Sequence, residues 1–259
     1  MNPTIQELMA SLPEQVTHHI QHLERMRQDF VANVSHELRT PLTVIHGYLE
    51  ALLSQNLEET QPWKKIFTQM QQQTLRMENL IEDLLLLSRL ENQGDENADE
   101  NHINVAALLK TICHDAAEFS GEAKHQIQIE ADAKLFLLGN NSELRSLFSN
   151  IIFNAVKYTP ANGQINIQWN NQGEQASFSV RDTGIGIAAE HIPRITERFY
   201  RVDPARSRAS GGTGLGLAIA KHVLLRHQAF LTIESELNKG SLFTCVFPKK
   251  RVASCHSER

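Results

Sequence analysis

Cysteine is scarce in this chain, with three in 259 residues. Cys113, Cys245 and Cys255 are far apart and form no Cys-x-x-Cys pair, which excludes a disulfide framework and a thiolate zinc site and points to a reducing cytoplasm. A basic leader followed by an apolar run is missing, and so is any apolar stretch long enough to cross a bilayer. The expectation is a soluble chain, either complete or the cytoplasmic portion of a longer inner-membrane receptor. An excess of positive charge is also lacking. Lys and Arg number 25 against 30 Asp and Glu, a formal net charge of -5, so there is no long-range attraction for phosphate backbones or anionic lipid, and neither nucleic acid nor a membrane surface is expected as a partner. No internal repeat is visible.

What is present is enough length for two modest domains and a clear apolar periodicity. From Leu23, the residues Met26, Phe30, Val34, Leu38, Ile45 and Leu52 recur at amphipathic-helix spacing. A polar stretch, Ser54 to Gln61, precedes Pro62, a residue suited to a first helical turn. Beyond it Ile66, Met70, Met77, Leu80, Ile81, Leu84 and Leu87 continue the apolar pattern. Two such helices form a hairpin that buries little alone, so a homodimer closing a four-helix bundle is expected. Residues 1–22 read as an N-terminal linker helix too short for a sensor fold, and 23–90 as the dimerising hairpin. The run ENQGDENADEN at 91–101 is nearly free of apolar residues and reads as a flexible linker.

Beyond the linker, patterns mix. Helices are expected near Val105 to Phe119, Ser142 to Tyr158 and Leu215 to His227. Strands are expected at Ile127 to Ile129, Gln164 to Trp169, Ala176 to Val180, Phe230 to Glu234 and Ser241 to Phe247. This is an α+β domain over 102–250, and Lys249 to Arg259 reads as a frayed tail, with 251–259 outside the domain.

At about 100° per residue, Phe30, Val34, Leu38, Pro41 and Ile45 share one face and His36 falls nearly opposite. An exposed histidine is ordinarily just solvated. Here Glu37 adjoins it, Thr40 shares its face, and Pro41 removes an amide donor and bends the helix. A largely neutral imidazole offers one ring nitrogen as nucleophile while a neighbouring carboxylate takes the proton of the other.

Three further patterns share the second half. Asn150 and Asn154 lie four apart on one helix face, with Lys157 and Tyr158 beyond; such amides can supply oxygen to Mg²⁺ or simply be solvated. Asp182-Thr-Gly184-Ile-Gly186 follows a strand, and is either a tight turn or a place where backbone approaches a flat ligand with a carboxylate to accept a hydrogen bond. The stretch 211–217, GGTGLGL, runs into a helix, so its amides can face phosphate oxygens. It lacks the Gly-Lys-Ser/Thr of a Walker A loop and the surroundings of a dinucleotide fingerprint. Arg194, Arg198, Arg201, Arg206 and Arg208 make 188–210 basic, which suits a solvated loop or a lid over ATP.

The segment 30–42, FVANVSHELRTPL, closely resembles the phosphoacceptor box of sensor histidine kinases. The succession of paired asparagines, D-x-G-x-G, Arg198-Phe-Tyr-Arg201 and G-T-G-L-G-L resembles the N, G1, F and G2 boxes of the superfamily that also holds gyrase and Hsp90 ATPases. The resemblance covers roughly Arg25 to Pro248, and no box is eroded. It implies the fold class α plus α/β: a helical hairpin forming a dimeric four-helix bundle, followed by an α/β sandwich ATP-binding domain of the Bergerat type. It implies His36 as phosphoacceptor, Glu37 as its acid/base partner and Thr40 as the residue positioning water for dephosphorylation. It implies ATP and Mg²⁺ as cofactors, with Asn154 on the metal, Asn150 nearby, Lys157 and Tyr158 toward the phosphates, and Asp182 on adenine. Gly184, Gly186, Arg201, Thr213, Gly214, Leu215 and Gly216 complete the pocket. The implied partners are a second copy of the chain and a response-regulator receiver domain. Residues 35–52, SHELRTPLTVIHGYLEAL, look most like phosphate-regulon sensor kinases. A plain ATPase of the superfamily needs no exposed histidine beside Glu-x-x-Thr-Pro, and a non-catalytic scaffold predicts an eroded box.

Overall fold

The computed structural model describes residues 34, 38–48, 50, 61–91, 101–173, 175–203 and 212–254. The chain divides into two compact units, Met1–Leu80 and Ile81–Arg259. Helix α1, described over 38–48, presents the predicted face: Pro41 is buried and Leu38 and Ile45 are half-buried, while Arg39, Thr40, Thr43 and His46 are exposed. Helix α2 is Gln61–Glu91, with Pro62 in its first turn as expected. Within the first unit the two helices are tied by the Tyr48 hydroxyl, which donates to Oε1 of Gln69.

Leu80, Leu87 and Leu90 of α2 are buried. Ile81, expected in that buried stripe, is 46% exposed, and Phe67, Leu75 and Leu85 are also more than half exposed. At about 100° per residue these four fall on a second face of α2, turned away from the leucines.

In the second unit, strands β2 (Gln126–Ala131), β4 (Gln164–Gln172), β5 (Gln175–Asp182), β6 (Phe230–Glu236) and β7 (Gly240–Phe247) form a sheet in the order β2-β4-β5-β7-β6. The β2–β4 pairing is parallel and the others are antiparallel. The parallel pair needs a crossover, which is supplied by β3 (Leu135–Gly139) and helix α4 (Asn141–Tyr158). Alternation divides the sheet into two faces: Ile165, Ile167 and Trp169 of β4 are buried, while Gln164, Gln168 and Asn170 are exposed. Helices α3 (Val105–Ser120), α4 and α5 (Gly216–Arg226) bring the matching apolar residues. At the centre Phe148 of α4 packs on Phe178 with ring centroids 4.6 Å apart, and Trp169 meets Phe247 edge-on at 6.0 Å.

The three smallest strands were not expected. Strand β1 (Asn101–Asn104) pairs antiparallel with β3, and β3 with β8 (Val252–Ser254). Residues 252–254 are therefore no tail: after Pro248 the chain turns, Arg251 is buried and donates to the Arg226 carbonyl, and Val252 presents backbone to the free edge of β3. Glu91 closes α2 and Asn101 opens β1, and the linker residues between them lie outside the described ones.

Candidate nucleotide and phosphoacceptor site

Helix α4 carries the site because of how it begins and ends. Asn140 caps its start, Oδ1 accepting from the amides of Ser142 and Glu143 at 3.0 and 3.2 Å. Its end is set by Pro160, which forces Thr159 into extended backbone (φ -92°, ψ 129°). The apolar stripe Leu144, Leu147, Phe148, Ile151, Ile152, Ala155 and Val156 faces the core, leaving Asn150, Asn154 and Lys157 half-buried on the other side. Asn150 donates Nδ2 to the Ser146 carbonyl at 3.0 Å, which turns Oδ1 outward. Asn154 has no hydrogen-bond partner among the described residues, and a half-buried amide with a free oxygen is a hard donor suited to Mg²⁺.

The carbonyl of Tyr158, left over at the helix end, accepts the amide of Ile185 at 3.1 Å. That bond holds the turn after β5 beside α4. Asp182 ends β5 and is 7% exposed; its Oδ1 accepts from the amides of Gly184 at 2.7 Å and Ser241 at 3.2 Å. Burial pushes its carboxyl above the ordinary range, partly offset by those two amides. With Oδ1 so occupied, Oδ2 remains for a ligand.

Gly186 answers to the tight-turn alternative at least. Its φ is +66° and an added Cβ would stand 2.0 Å from the carbonyl oxygen of Glu236, so the approach of β6 requires a glycine there. Gly186→Ala is expected to lower stability by at least about 2 kcal/mol, since left-handed backbone alone costs about 1–2 kcal/mol; a chemical-denaturation midpoint equal to wild type would contradict this.

The third element is the glycine-rich loop. A Cβ on Gly216 would meet Oδ1 of Asn150 at 2.3 Å, so the loop lies directly against the amide face of α4. The Thr213 hydroxyl accepts from the Leu215 amide at 3.2 Å and donates to Oδ2 of Asp83 at 2.9 Å. Gly214 has φ +76° and its carbonyl accepts the amide of Phe199 at 2.9 Å. Leu215 itself is fully buried, so only its backbone faces the loop. Arg201 donates to the Gly212 carbonyl, holding the loop from its other end.

The arginines of the basic segment turn to protein partners. Arg194 lies 4.3 Å from the Tyr200 ring and pairs with Glu197 at 3.3 Å. The Tyr200 hydroxyl bonds Nδ1 of His191 at 2.8 Å, and Arg198 pairs with Glu91. Arg206 and Arg208 lie outside the described residues. Lys157 sits 5.2 Å from the Tyr158 ring.

The 212–216 loop thus lies against Asn150, and the turn of Asp182 and Gly184 against Tyr158, both along the second half of α4. His36 and Glu37 lie outside the described residues, and Thr40 is exposed on α1. Asp83 and the Ser241 amide carry no sequence signal: one is an acid among leucines, the other a backbone group 59 residues from its partner. Neither described cysteine is a nucleophile, since burial pushes Cys113 to about 11 and Cys245 higher still.

Two family models match. The His Kinase A (phospho-acceptor) domain covers residues 26–93, and the Histidine kinase-, DNA gyrase B-, and HSP90-like ATPase covers 139–251. The Phosphate regulon sensor protein PhoR of Pseudomonas aeruginosa is 55% identical over 235 residues, 90% of this chain and 53% of that protein. Its namesake in Haemophilus influenzae is 42% identical over 233 residues, 90% of this chain and 54% of that protein. The chain spans about half the length of these curated relatives. Among solved structures, the Acinetobacter baumannii histidine kinase AdeS superposes with a TM-score of 0.68 at 21% identity, over 83% of this chain and 98% of that one; at that identity the likeness speaks for the fold alone. The phospho-acceptor match over the hairpin, the ATPase match over the glycine loop and amide face, and the curated relatives agree: the chain belongs to the sensor histidine kinases of two-component systems.

Proposed function

We propose that this chain binds Mg-ATP in its second unit, phosphorylates its own His36, and passes the phosphoryl group to an aspartate of a response-regulator receiver domain. The observation that carries the reading is that the second half of α4, with its Asn150/Asn154 face, carries the 212–216 loop at Asn150 and the Asp182 turn at Tyr158. Asp182 accepts from the adenine amino group, the loop amides and Lys157 face the phosphates, and Asn154 offers its oxygen to Mg²⁺. That ion, when bound, offsets charge on the phosphate oxygens. In the transfer the bond from the γ-phosphorus to its bridging oxygen breaks as a nitrogen–phosphorus bond forms on His36. ADP leaves, and the proton of the other ring nitrogen goes to Glu37. In a separate reaction, water positioned by Thr40 attacks the phosphorus of the regulator's aspartyl phosphate; the bond to the carboxylate oxygen breaks and inorganic phosphate leaves, which makes the chain a phosphatase toward the phosphorylated regulator.

The working form is a homodimer through residues 23–90. Phe67, Leu75, Ile81 and Leu85, exposed along one face of α2, are what a second copy would cover. Residues 92–100, between the end of α2 and β1, let the ATP domain, 101–254, reach His36 and withdraw. The relatives' printed names favour phosphate limitation as the setting. Among the described residues no helix is long and apolar enough to cross a membrane, and a receiver partner places the reaction in the cytoplasm. Incubation with γ-labelled ATP and Mg²⁺ tests the reading. The expected product carries label that is acid-labile and alkali-stable and that chases onto a receiver domain; ATP binding without such label would overturn it.

A further inference from the structure

The Thr213 hydroxyl is already in use. It has one proton, and that proton goes to Oδ2 of Asp83, while the lone pairs of the same oxygen take the Leu215 amide just ahead of α5. Asp83 sits on the last turns of α2, is largely removed from water, and has its carboxyl pushed upward by that burial, with Thr213 pulling the other way. A second contact runs parallel to the first. Glu91, at the end of the same helix, pairs with Arg198 and lies 3.4 Å from Nε2 of His222. The acids of α2 thus grip the two segments that frame the glycine loop, one through Thr213 and one through Arg198.

We propose that Asp83 is a positioning residue that occupies the phosphate-facing hydroxyl of the glycine loop, so that a nucleotide phosphate and the Asp83 carboxylate compete for the proton of Thr213. An anionic oxygen at a hydroxyl beside a helix start is what a phosphate would supply there. The carboxylate therefore stands in for it, and repels a polyphosphate besides. Binding of ATP releases Asp83, which loosens the glycine loop from the end of α2 within the second unit. The proposal rests on the reading that residues 212–216 receive the phosphates.

The test is calorimetric titration of the full chain with ATP and Mg²⁺, and separately with adenosine, which has no phosphate. Asp83→Ala is expected to tighten ATP binding about tenfold, the scale of one hydrogen bond to a charged group, and to leave adenosine binding unchanged. Asp83→Asn keeps shape and a weaker, neutral acceptor and falls between the two. A merely structural role would weaken both ligands together. Unchanged ATP affinity in Asp83→Ala and Asp83→Asn, with wild type binding ATP, overturns the proposal. Thr213→Val distinguishes its failure from failure of the loop reading: if this change leaves ATP affinity untouched and wild type binds ATP no more tightly than adenosine, the loop does not meet the phosphates and both fall.

Discussion

His36→Gln is expected to abolish phosphoryl labelling while leaving ATP affinity and the dimer intact. An amide nitrogen has its lone pair delocalised into the carbonyl, so it does not attack phosphorus, whereas an imidazole nitrogen near neutral pH does. The loss is therefore of the chemical step and not of binding. It should exceed about 10⁴-fold, the upper end of what general acid–base catalysis alone contributes, in keeping with deletion of a nucleophile. Position supports the choice. On α1 the described residues Arg39, Thr40 and Thr43 are exposed while Pro41 is buried, and the sequence spacing expects His36, itself outside the described residues, on the face that Thr40 occupies. Acid-labile label persisting in His36→Gln would move the acceptor to another of the twelve histidines; label that is stable to acid would replace the histidine kinase reading altogether.

The sequence carried the framework where residues repeat. Ile127-Gln-Ile129 and Ile165-Asn-Ile167-Gln-Trp169 alternate and became β2 and β4; the apolar stripe and cap of α4 became a helix ending within a residue of expectation. Strand β3, LFLLG, is a short apolar run that periodicity alone does not assign. Strands β1 and β8 contribute mostly backbone hydrogen bonds, which no side-chain pattern records. The same divide runs through the site. Asn150, Asn154, Asp182 and the glycines could be named as candidates from residue type and spacing alone. What holds them could not: the Ser241 amide on Asp182, the Tyr158 carbonyl on Ile185 and the Glu236 carbonyl against Gly186 are contacts between segments distant in the chain. Gly186 is the instructive case: sequence reasoning offered a turn or a ligand, and the contact with Glu236 supplies a reason for glycine that no local pattern records.

Asp182→Asn separates stability from binding. The two amides of Gly184 and Ser241 both point at Oδ1, so an asparagine must direct its carbonyl oxygen at them and its NH₂ outward, where the proposed function has Oδ2 meet the adenine amino group. A donor then meets a donor. The lost hydrogen bond and the unpaired group together should weaken ATP binding about 100-fold. Stability should move the other way. Burial raises the Asp182 carboxyl above its ordinary range, so the folded chain binds a proton more tightly than the unfolded chain. Stability contributed by that proton is present below the unfolded-state value and is lost as pH rises through the folded one. At neutral pH the wild type bears the whole cost of a buried charge, which the neutral asparagine avoids. The variant should therefore melt at or above the wild-type temperature at pH 7, with its advantage shrinking as pH falls through that window. ATP affinity preserved in the variant would remove Asp182 from adenine recognition, and a lower melting temperature at pH 7 would mean that the two amides need the full negative charge of the carboxylate more than the core resists it.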